Sequence, residues 1–399
     1  MSKLNNPNAE GYTVVRGLWK LYYNQGERNY IAPKRCNGTY DDHKFVVWPI
    51  AVASQAVVDG ARIYPELKPL IPAACEIFFK YKNQSKHAYS ATENKDNDIY
   101  YDDNAQIASC LITAYEVTGN PQYLAQGREL VDFLMTGWNN DPKAATKGGM
   151  LWHISKSLLN ACTTAEVAKA CLQLSRFVKD GKRYIDFAIK CIQWQFNVLQ
   201  DPSDKLIMDG VGKGETNVSE VKYSYNLGTT LTAASHIYQI TKDEYWLKKA
   251  TELAEAGINR NVFFYDRDFP DHLRYWRDGS YFNQLLIEGL ADYLLYCDDA
   301  VSNEFGLKIQ EEIKRHLIMF YEFMKDPKGG LYIQSFEPHN TYKEVYDAKY
   351  KNWFGDGKGW GLKGEDKGDD GNPQYCLMGL GAAARVFFQG ARVAPNIDY

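Results

Sequence analysis

The chain has 399 residues, of which 45% are hydrophobic and 24% are charged, and this composition excludes both a disordered protein and a collagen-like one. Lysine and arginine total 46 against 50 aspartates and glutamates, so the formal net charge is −4 at pH 7. No basic stripe is long enough to neutralise a run of phosphates, so we expect no nucleic acid partner.

No stretch offers the roughly 18 uncharged apolar residues that a membrane-spanning helix needs, so we expect no membrane span. The first twenty residues lack the charged, then apolar, then small order of a secretory signal. The chain is therefore expected to be cytoplasmic if the sequence is complete, or else a mature form whose signal is absent. Eight cysteines without a Cys-x-x-Cys pair or a histidine at ligand spacing predict no metal site, and we expect no cofactor.

A short motif of an aromatic residue, an aliphatic residue, two variable residues and a small residue recurs along the chain. It begins at Tyr123, Tyr184 and Trp246, which gives steps of 61 and 62 residues. A period of about 60 residues holds two helices of about 15 residues each and two loops. The chain length therefore accommodates six helical hairpins.

A second series of residues indicates the same organisation. Five asparagines each precede a run of small and apolar residues: Asn104, Asn160, Asn226, Asn283 and Asn372. We predict that each asparagine caps the N-terminus of a helix that is crowded on all sides. Residues 123–136 and 245–258 instead carry charge along one face, as expected of an outer layer.

Alternating inner and outer helices that close into a ring give an all-α fold, the (α/α)6 toroid of six helical hairpins. No linker or step in composition divides the chain, so residues 1–399 are expected to form one domain. A generic helical solenoid is the alternative architecture. In the toroid, the loops that lead into the inner helices meet at one end and should form a cleft there.

Four adjacent pairs of aspartates occur, and Asp102-Asp103 has the most distinctive surroundings. It lies between two tyrosines and an apolar helical run at residues 107–115, which places it at the mouth of the predicted cleft. Neighbouring helical side chains are about 100° apart, so two such carboxyls can flank one glycosidic bond. Because retaining glycosidases hold their carboxyls about 5–5.5 Å apart, the pair favours that chemistry. A helix N-terminal role without chemistry is the alternative.

Several segments carry a resemblance to a known family. In chain order they are YYDDN at residues 100–104, AYEVTG at residues 114–119, Tyr123-Leu124, Gly137-Trp138, Gly148-Gly149, Leu151-Trp152, Asn160, Asp209-Gly210 and Tyr225-Asn226 with Gly228. Together they resemble glycoside hydrolase family 76, the endo-α-1,6-mannanases, over residues 45–250. The segment with the two tyrosines and two aspartates is the most specific part.

The resemblance implies an (α/α)6 enzyme that cleaves α-1,6-linked mannan, with Asp102 as nucleophile and Asp103 as acid/base. It also implies a secreted or cell-surface protein, because members of the family are usually exported. Fungal cell-wall relatives that resemble the family are thought to act by transfer on mannose-containing anchors. Transglycosylation on cell-wall or anchor glycans is therefore an alternative to endo-acting hydrolysis.

Nine further residues are candidates for binding the sugar chain: Trp48, Tyr101, Asn104, Trp152, Asn160, Asp209, Tyr225, Asn226 and Asn283. Aromatic rings suit this role because they combine a broad apolar face with a polar tip, and the chain holds 29 tyrosines and 9 tryptophans. Each candidate also has a structural interpretation. The rings would pack between hairpins, the asparagines would cap helices, and the aspartate would form a turn before a glycine.

Other functions of the same fold are open at this level. A non-catalytic mannan-binding toroid would keep its affinity without either carboxyl of the pair. Sugar 2-epimerases with similar toroids rely on paired histidines, and no repeat-related pair stands out among the seven histidines. Hydrolysis of unsaturated uronides would need an aspartate on another hairpin, for which Asp209 is the candidate. The oligomeric state is not predicted.

Overall fold

The computed structural model of the protein describes residues 3–141 and 143–398. Its helices in chain order are α1 Pro7–Tyr22, α2 Val47–Ala61, α3 Ile71–Glu76, α4 Tyr101–Thr118, α5 Pro121–Met135, α6 Ala161–Ser175, α7 Gly181–Val198, α8 Ser224–Thr241, α9 Glu244–Ile258, α10 Ser280–Tyr296, α11 Asn303–Met324, α12 Lys343–Val345, α13 Lys351–Phe354 and α14 Leu377–Ala391. Short 3₁₀ or π turns lie at Asp41–His43, Pro65–Leu70, Ile77–Tyr81, Asp271–Leu273, Tyr346–Tyr350 and Gly364–Asp366.

Helices α2, α4, α6, α8, α10 and α14 form the inner wall of a closed ring. Each inner helix packs against the next one, and α14 closes the ring by packing against α2. The outer layer consists of α1, α3, α5, α7, α9 and α11, and the first of these, α1, packs mainly against the last inner helix. The expected all-α (α/α)6 toroid is confirmed, and the solenoid alternative is wrong because the ring is closed.

Small residues allow the inner helices to pack closely. A Cβ added to Gly228 in α8 would lie 2.4 Å from the carbonyl oxygen of Leu285 in α10. One added to Gly289 would lie 2.3 Å from the carbonyl oxygen of Gly228. Because real Cβ atoms do not approach other atoms so closely, only glycine fits at this crossing.

The starts of the inner helices correct part of the capping prediction. Asn160 does cap α6, and its side chain accepts a hydrogen bond from the backbone N–H of Thr163 at 3.0 Å. The other four predictions are wrong. Asn104, Asn226 and Asn283 lie inside the first turn of their helices, and Asn372 lies before Cys376, which caps α14.

Within residues 3–141 and 143–398, seven short strands lie in the connections that lead from an outer helix into an inner helix. They are β1 Tyr23–Asn24, β2 Asn29–Tyr30, β3 Lys82–Asn83, β4 Ala88–Tyr89, β5 Leu158–Asn160, β6 Gly210–Gly212 and β7 Val218–Ser219. β1 pairs with β2, β3 pairs with β4, and β6 lies between β5 and β7; all these pairs are antiparallel. None of the helices in the described parts of the chain combines the length and the apolar character needed to cross a membrane.

Candidate active site

The N-terminal ends of the inner helices surround a cavity of about 540 Å³ at one end of the ring. It is lined by Val46, Trp48, Ala91, Asp98, Tyr100, Asp102, Asp103, Gln106, Trp152, Leu158, Asn160, Cys162, Asp209, Tyr223, Tyr225, Tyr281, Phe282 and Leu285. Four of these residues are aspartates, and none is a lysine, an arginine or a histidine. The lining therefore combines concentrated negative charge with a large aromatic surface.

The start of α4 places Asp102 and Asp103 at this cavity. The N–H of Tyr101 donates to the carbonyl of Trp152 at 2.9 Å, which joins the start of the helix to a neighbouring loop. Asp102 Oδ1 accepts from the backbone N–H of Asp103, and Asp102 Oδ2 accepts from Nε1 of Trp152, both at 2.9 Å. Both oxygens of Asp102 are thus held in place, and two donors stabilise its charged form.

The environment raises the pKa of both carboxyls to different degrees. Burial raises the pKa of Asp102 to about 6, because desolvation outweighs its two hydrogen bonds. The pKa of Asp103 lies well above its usual value, first through burial and then through the charges of Asp102 and Asp98. Because Asp103 has neither of the donors that serve Asp102, it is the carboxyl that keeps its proton more readily.

A third carboxylate, Asp209, is fixed to the same cavity by side chains from two inner helices. It accepts hydrogen bonds from the hydroxyl of Tyr225 at 3.3 Å and from Nδ2 of Asn226 at 3.1 Å. Nδ2 of Asn160 donates to the backbone carbonyl of Asp209 at 3.1 Å. These contacts join the start of α6 to α8 and fix a hydrogen-bond acceptor at the cavity.

Aromatic rings from three hairpins form one wall of the cavity. The rings of Tyr225 and Phe282 lie 4.0 Å apart between centroids, and Tyr223 stacks on Tyr225 at 5.4 Å. Trp48 packs edge-on against Tyr281 at 6.0 Å. Flat apolar faces of this kind suit the carbon-hydrogen faces of sugar rings.

The sequence profile of glycosyl hydrolase family 76 matches residues 8–316. The chain belongs to this family. A protein of Schizosaccharomyces pombe named meiotically up-regulated gene 191 protein is 26% identical to this family 76 chain over 416 residues, which cover 96% of this chain and 92% of that protein. Mannan endo-1,6-alpha-mannosidase DFG5 of Candida albicans is 25% identical over 127 residues, which cover 28% of this chain and 27% of that protein.

Solved structures show the same architecture. An inactive variant of the α-1,6-mannanase of Salegentibacter sp. HEL1_6, in complex with α-1,6-mannotriose, matches with a TM-score of 0.75 and 15% identity. The match covers 97% of this chain and 100% of that chain. A family 76 mannosidase of Bacteroides thetaiotaomicron also matches with a TM-score of 0.75, at 19% identity, over 97% of this chain and 98% of that chain. At these identities the likeness establishes the fold.

The structure brings seven of the eleven predicted site residues of this family 76 protein to the cavity. They are Trp48, Asp102, Asp103, Trp152, Asn160, Asp209 and Tyr225. The other four, Tyr101, Asn104, Asn226 and Asn283, do not line it. Tyr101 is buried between helices, where it stacks on Phe133 of α5 at 5.2 Å.

The three buried asparagines hold backbone segments at the starts of inner helices. Asn104 donates to the carbonyls of Tyr89 and Tyr100 at 2.9 and 2.7 Å, and Asn283 donates to the carbonyl of Asp278 at 2.6 Å. Asn226 binds the carboxylate of Asp209, as described above. None of the three lines the cavity, and the amide nitrogen of each donates to a group inside the protein.

Eleven cavity residues were missed by sequence reasoning, and six of them carry a carboxyl, amide or aromatic side chain: Asp98, Tyr100, Gln106, Tyr223, Tyr281 and Phe282. Gln106 follows Asp102 by four residues, so the helical period alone would have placed it on the same face. Tyr100 stands two residues before the aspartate pair in the family motif, and it lines the cavity whereas Tyr101 does not. The other residues come together only through the closure of the ring.

No group of three or more histidine, cysteine, aspartate or glutamate side chains in the described segments is arranged to hold a metal ion. Within the cavity, the carboxylates instead accept protein donors or face one another. The chemistry that these residues can supply is nucleophilic attack and proton transfer by carboxyl groups.

Proposed function

We propose that the protein is a retaining glycoside hydrolase that cleaves internal α-1,6-mannosidic linkages of mannan. The observation that carries the proposal is the pair of adjacent carboxyls at the cavity, one bound by two donors and the other, among the described residues, bound by none. Retention needs two carboxyls that act in turn on one acetal. Their different environments assign one role to each.

Asp102 is the proposed nucleophile. The backbone N–H of Asp103 and the indole N–H of Trp152 stabilise its charge and orient both of its oxygens. Its carboxylate attacks the anomeric carbon, and the bond from that carbon to the leaving oxygen breaks as the covalent glycosyl-enzyme forms.

Asp103 is the proposed acid/base. It donates its proton to the leaving oxygen in the first step, which releases the first sugar product with a free hydroxyl. In the second step it takes a proton from water while the water oxygen attacks the anomeric carbon. The bond to Asp102 then breaks, so both carboxyls return to their starting states with net retention of configuration.

The proposed substrate rests on the relatives. One of them is named a mannan endo-1,6-alpha-mannosidase, and the Salegentibacter α-1,6-mannanase was solved with α-1,6-mannotriose. In the latter the replacement of two consecutive aspartates by asparagine accompanies an inactive variant. We assign the binding of mannose units here to Trp48, Trp152, Asn160, Asp209 and Tyr225, which surround the pair.

Transfer to a sugar acceptor is the second candidate, because it would use the same covalent intermediate. The aromatic wall of Trp48, Tyr281 and Phe282 favours it: such a wall offers a stacking surface to an acceptor sugar and few polar groups that would order water. Products longer than the supplied oligosaccharide would identify transfer.

Product analysis on linear α-1,6-mannan by proton NMR tests the proposal. An α-configured reducing end in the first minutes, before mutarotation, is expected. An initial β product would contradict retention. Binding of mannan without any new reducing ends, unchanged in Asp102→Asn, would instead establish a non-catalytic mannan-binding protein.

A further inference from the structure

A further carboxylate stands beside the proposed catalytic pair and has no role in the mechanism above. Asp98 lies in the segment that leads into α4 and lines the same cavity, with 47% of its side chain exposed. Its Oδ1 lies 3.1 Å from Nε2 of His153. The backbone keeps the two residues close, because Tyr100 forms an antiparallel bridge with His153.

The contacts of His153 define its charge. The ring is buried, and the backbone N–H of Ser155 points at its Nδ1 at 3.1 Å, with Ser155 Oγ at 3.0 Å. A backbone N–H can only donate, so Nδ1 must offer its lone pair and the ring proton must reside on Nε2. The neutral imidazole therefore donates to Asp98 and orients the carboxylate without cancelling its charge.

The groups that line the cavity around Asp103 do not compensate this charge. Asp102 lies on the same helix, Asp209 lies in the segment before β6, and Cys162 and Tyr225 come from α6 and α8. All four are acidic or uncharged. The negative charge of Asp98 therefore adds to those of the other two aspartates.

The nearby cation in the sequence, Lys156, is engaged elsewhere. Its Nζ donates to the hydroxyl of Tyr100 at 3.0 Å and lies 4.7 Å from the ring centroid of Trp152. In the part of the chain that the structure describes, His153 is the only basic side chain within 4.0 Å of the Asp98 carboxylate. The carboxylate thus has an orienting partner and no counter-charge.

We propose that Asp98, oriented by neutral His153, is a positioning residue that places a negative charge beside Asp103 and so retains the proton that Asp103 gives to the leaving oxygen. This inference rests on the proposed function, because it takes Asp103 as the acid/base. Asp98 acts through Asp103 and needs no contact with the substrate. In agreement, its charge raises the pKa of Asp103, after burial and the charge of Asp102.

The test compares the wild-type protein with Asp98→Asn by two measurements. The first is a carbon-13 NMR titration of the Asp103 carboxyl, assigned by the loss of its signal in Asp103→Asn. The second is the pH dependence of kcat/KM on α-1,6-mannan. In Asp98→Asn we expect the Asp103 midpoint and the alkaline limb to move together to lower pH by about 0.5–1 pH unit, because a neighbouring negative charge is lost.

Two further variants separate the effect of the Asp98 charge on Asp103 from the effect of the Asp98 side-chain shape. Asp98→Glu keeps the charge and should shift the midpoint by less than half as much as Asp98→Asn. His153→Phe removes the donor but not the carboxylate, and we expect a smaller shift in the same direction because the freed carboxylate turns toward solvent. A purely structural role would lower the melting temperature and leave the Asp103 midpoint in place.

The outcomes distinguish this inference from the proposed function. An unchanged Asp103 midpoint in Asp98→Asn overturns the inference, whatever the activity. A shifted midpoint in a protein that cleaves no α-1,6-mannan overturns the proposed function and leaves the influence of Asp98 on Asp103 intact. A shifted midpoint with a shifted alkaline limb supports both.

Discussion

The two ends of the ring differ in whether their acidic residues lie beside lysines and arginines. At the end where the inner helices begin, four aspartates line the cavity and no lysine or arginine does. At the end where those helices finish, arginines and lysines face the interior together with acidic partners, as in the pairs Arg62–Glu116 and Arg392–Asp292. The acids at the cavity end have no lysine or arginine beside them, whereas acids and cations at the other end form ion pairs.

Helix direction accounts for the signs. All six inner helices run from the cavity toward the opposite end, so their positive dipole ends face the aspartates and their negative ends face the cations. The dipole does not explain why no lysine or arginine lines the cavity beside these acids. Ion pairing stabilises a fold, whereas a carboxyl without a counter-charge in a cavity is suited to proton transfer and nucleophilic attack, so the difference agrees with the proposed active site at the cavity end.

A buried ionic cluster lies in the wall between the two ends. Arg385 binds Asp59 at 3.0 Å and Glu288 at 3.1 Å, and Lys169 binds Glu288 at 2.7 Å. Burial alone would raise the pKa of Glu288. The charges of Lys169 and Arg385 outweigh burial and hold this pKa well below its ordinary value. The comparison therefore predicts that substitutions at the cavity end change activity and that substitutions here change stability.

The largest expected effect is that of Asp102→Asn at the cavity end. Removal of the proposed nucleophile should reduce kcat on α-1,6-mannan by about 10⁴-fold, because the covalent step is lost while substrate binding persists. The measurement is reducing-end release by purified protein, with mannan affinity and melting temperature recorded in parallel. Asp298→Asn, in an adjacent pair outside the cavity, is the matched control and should retain full activity. Full activity in Asp102→Asn would contradict the assignment of the nucleophile.

The sequence predicted the ring and the pair, but not which side of each helix faces the cavity. Steps of 61 and 62 residues identify the hairpins because each hairpin repeats the same packing. An aspartate pair at the start of an inner helix must lie at the end of the ring where the inner helices begin, so its place follows from the repeat alone. Tyr101 and Asn226 do not line the cavity, and their helices begin a few residues before the predicted caps, at Tyr101 and Ser224.

Sequence reasoning identified only part of the aromatic wall, because it selected Trp48 and Tyr225 but not Tyr223 and Phe282. Trp48, Tyr223 and Phe282 come from three separate hairpins, and their contact depends on the closure of the ring. No local pattern distinguishes Tyr223 and Phe282 from the many other aromatic residues that pack between helices. Long-range geometry alone selects these rings.

In the buried cluster, Arg385→Met should lower the free energy of unfolding by about 3–5 kcal/mol, because Asp59 and Glu288 would lose a buried counter-charge. Urea denaturation followed by circular dichroism measures the change. The folded fraction should keep the wild-type kcat. Arg385→Met combined with Asp59→Asn should recover part of the loss. A fall in kcat without a fall in stability would contradict the expectation that substitutions in this cluster change stability and not activity.

Trp152→Phe tests the support of the nucleophile. The loss of the indole donor should reduce kcat/KM at pH 7 by about 10–100-fold, since one hydrogen bond to the charged carboxylate disappears. Because that bond lowers the pKa of Asp102, its loss should also move the acidic limb of the pH profile above its expected position near pH 6. Trp138→Phe is the control, because Trp138 packs on Phe187 away from the cavity. Equal losses in the two variants would indicate a packing effect.

Aspartates without a counter-charge at the cavity should lower the free energy of unfolding. Burial raises the pKa of Asp103 above its unfolded value, so the stability it contributes is fully present below the unfolded pKa and is lost as pH rises through the folded pKa. Asp103→Asn should therefore unfold at higher temperature than wild type at pH 9 and at nearly the same temperature at pH 4, with a gain of about 1 kcal/mol at alkaline pH. Asp370→Asn should show no gain, because hydrogen bonds with Asn372 lower the pKa of Asp370.

The smallest effect is expected for Arg62→Gln at the opposite end. Arg62 pairs with Glu116, but 47% of its side chain is exposed, and Arg176 binds the same carboxylate at 2.9 Å. Because Glu116 keeps one cation and solvent screens the lost pair, the free energy of unfolding should fall by less than about 0.5 kcal/mol. Comparison of urea denaturation at low and high salt checks this, since the small difference should vanish at high salt. A loss as large as that of Arg385→Met would mean that the paired end depends on its surface ions as strongly as on its buried cluster.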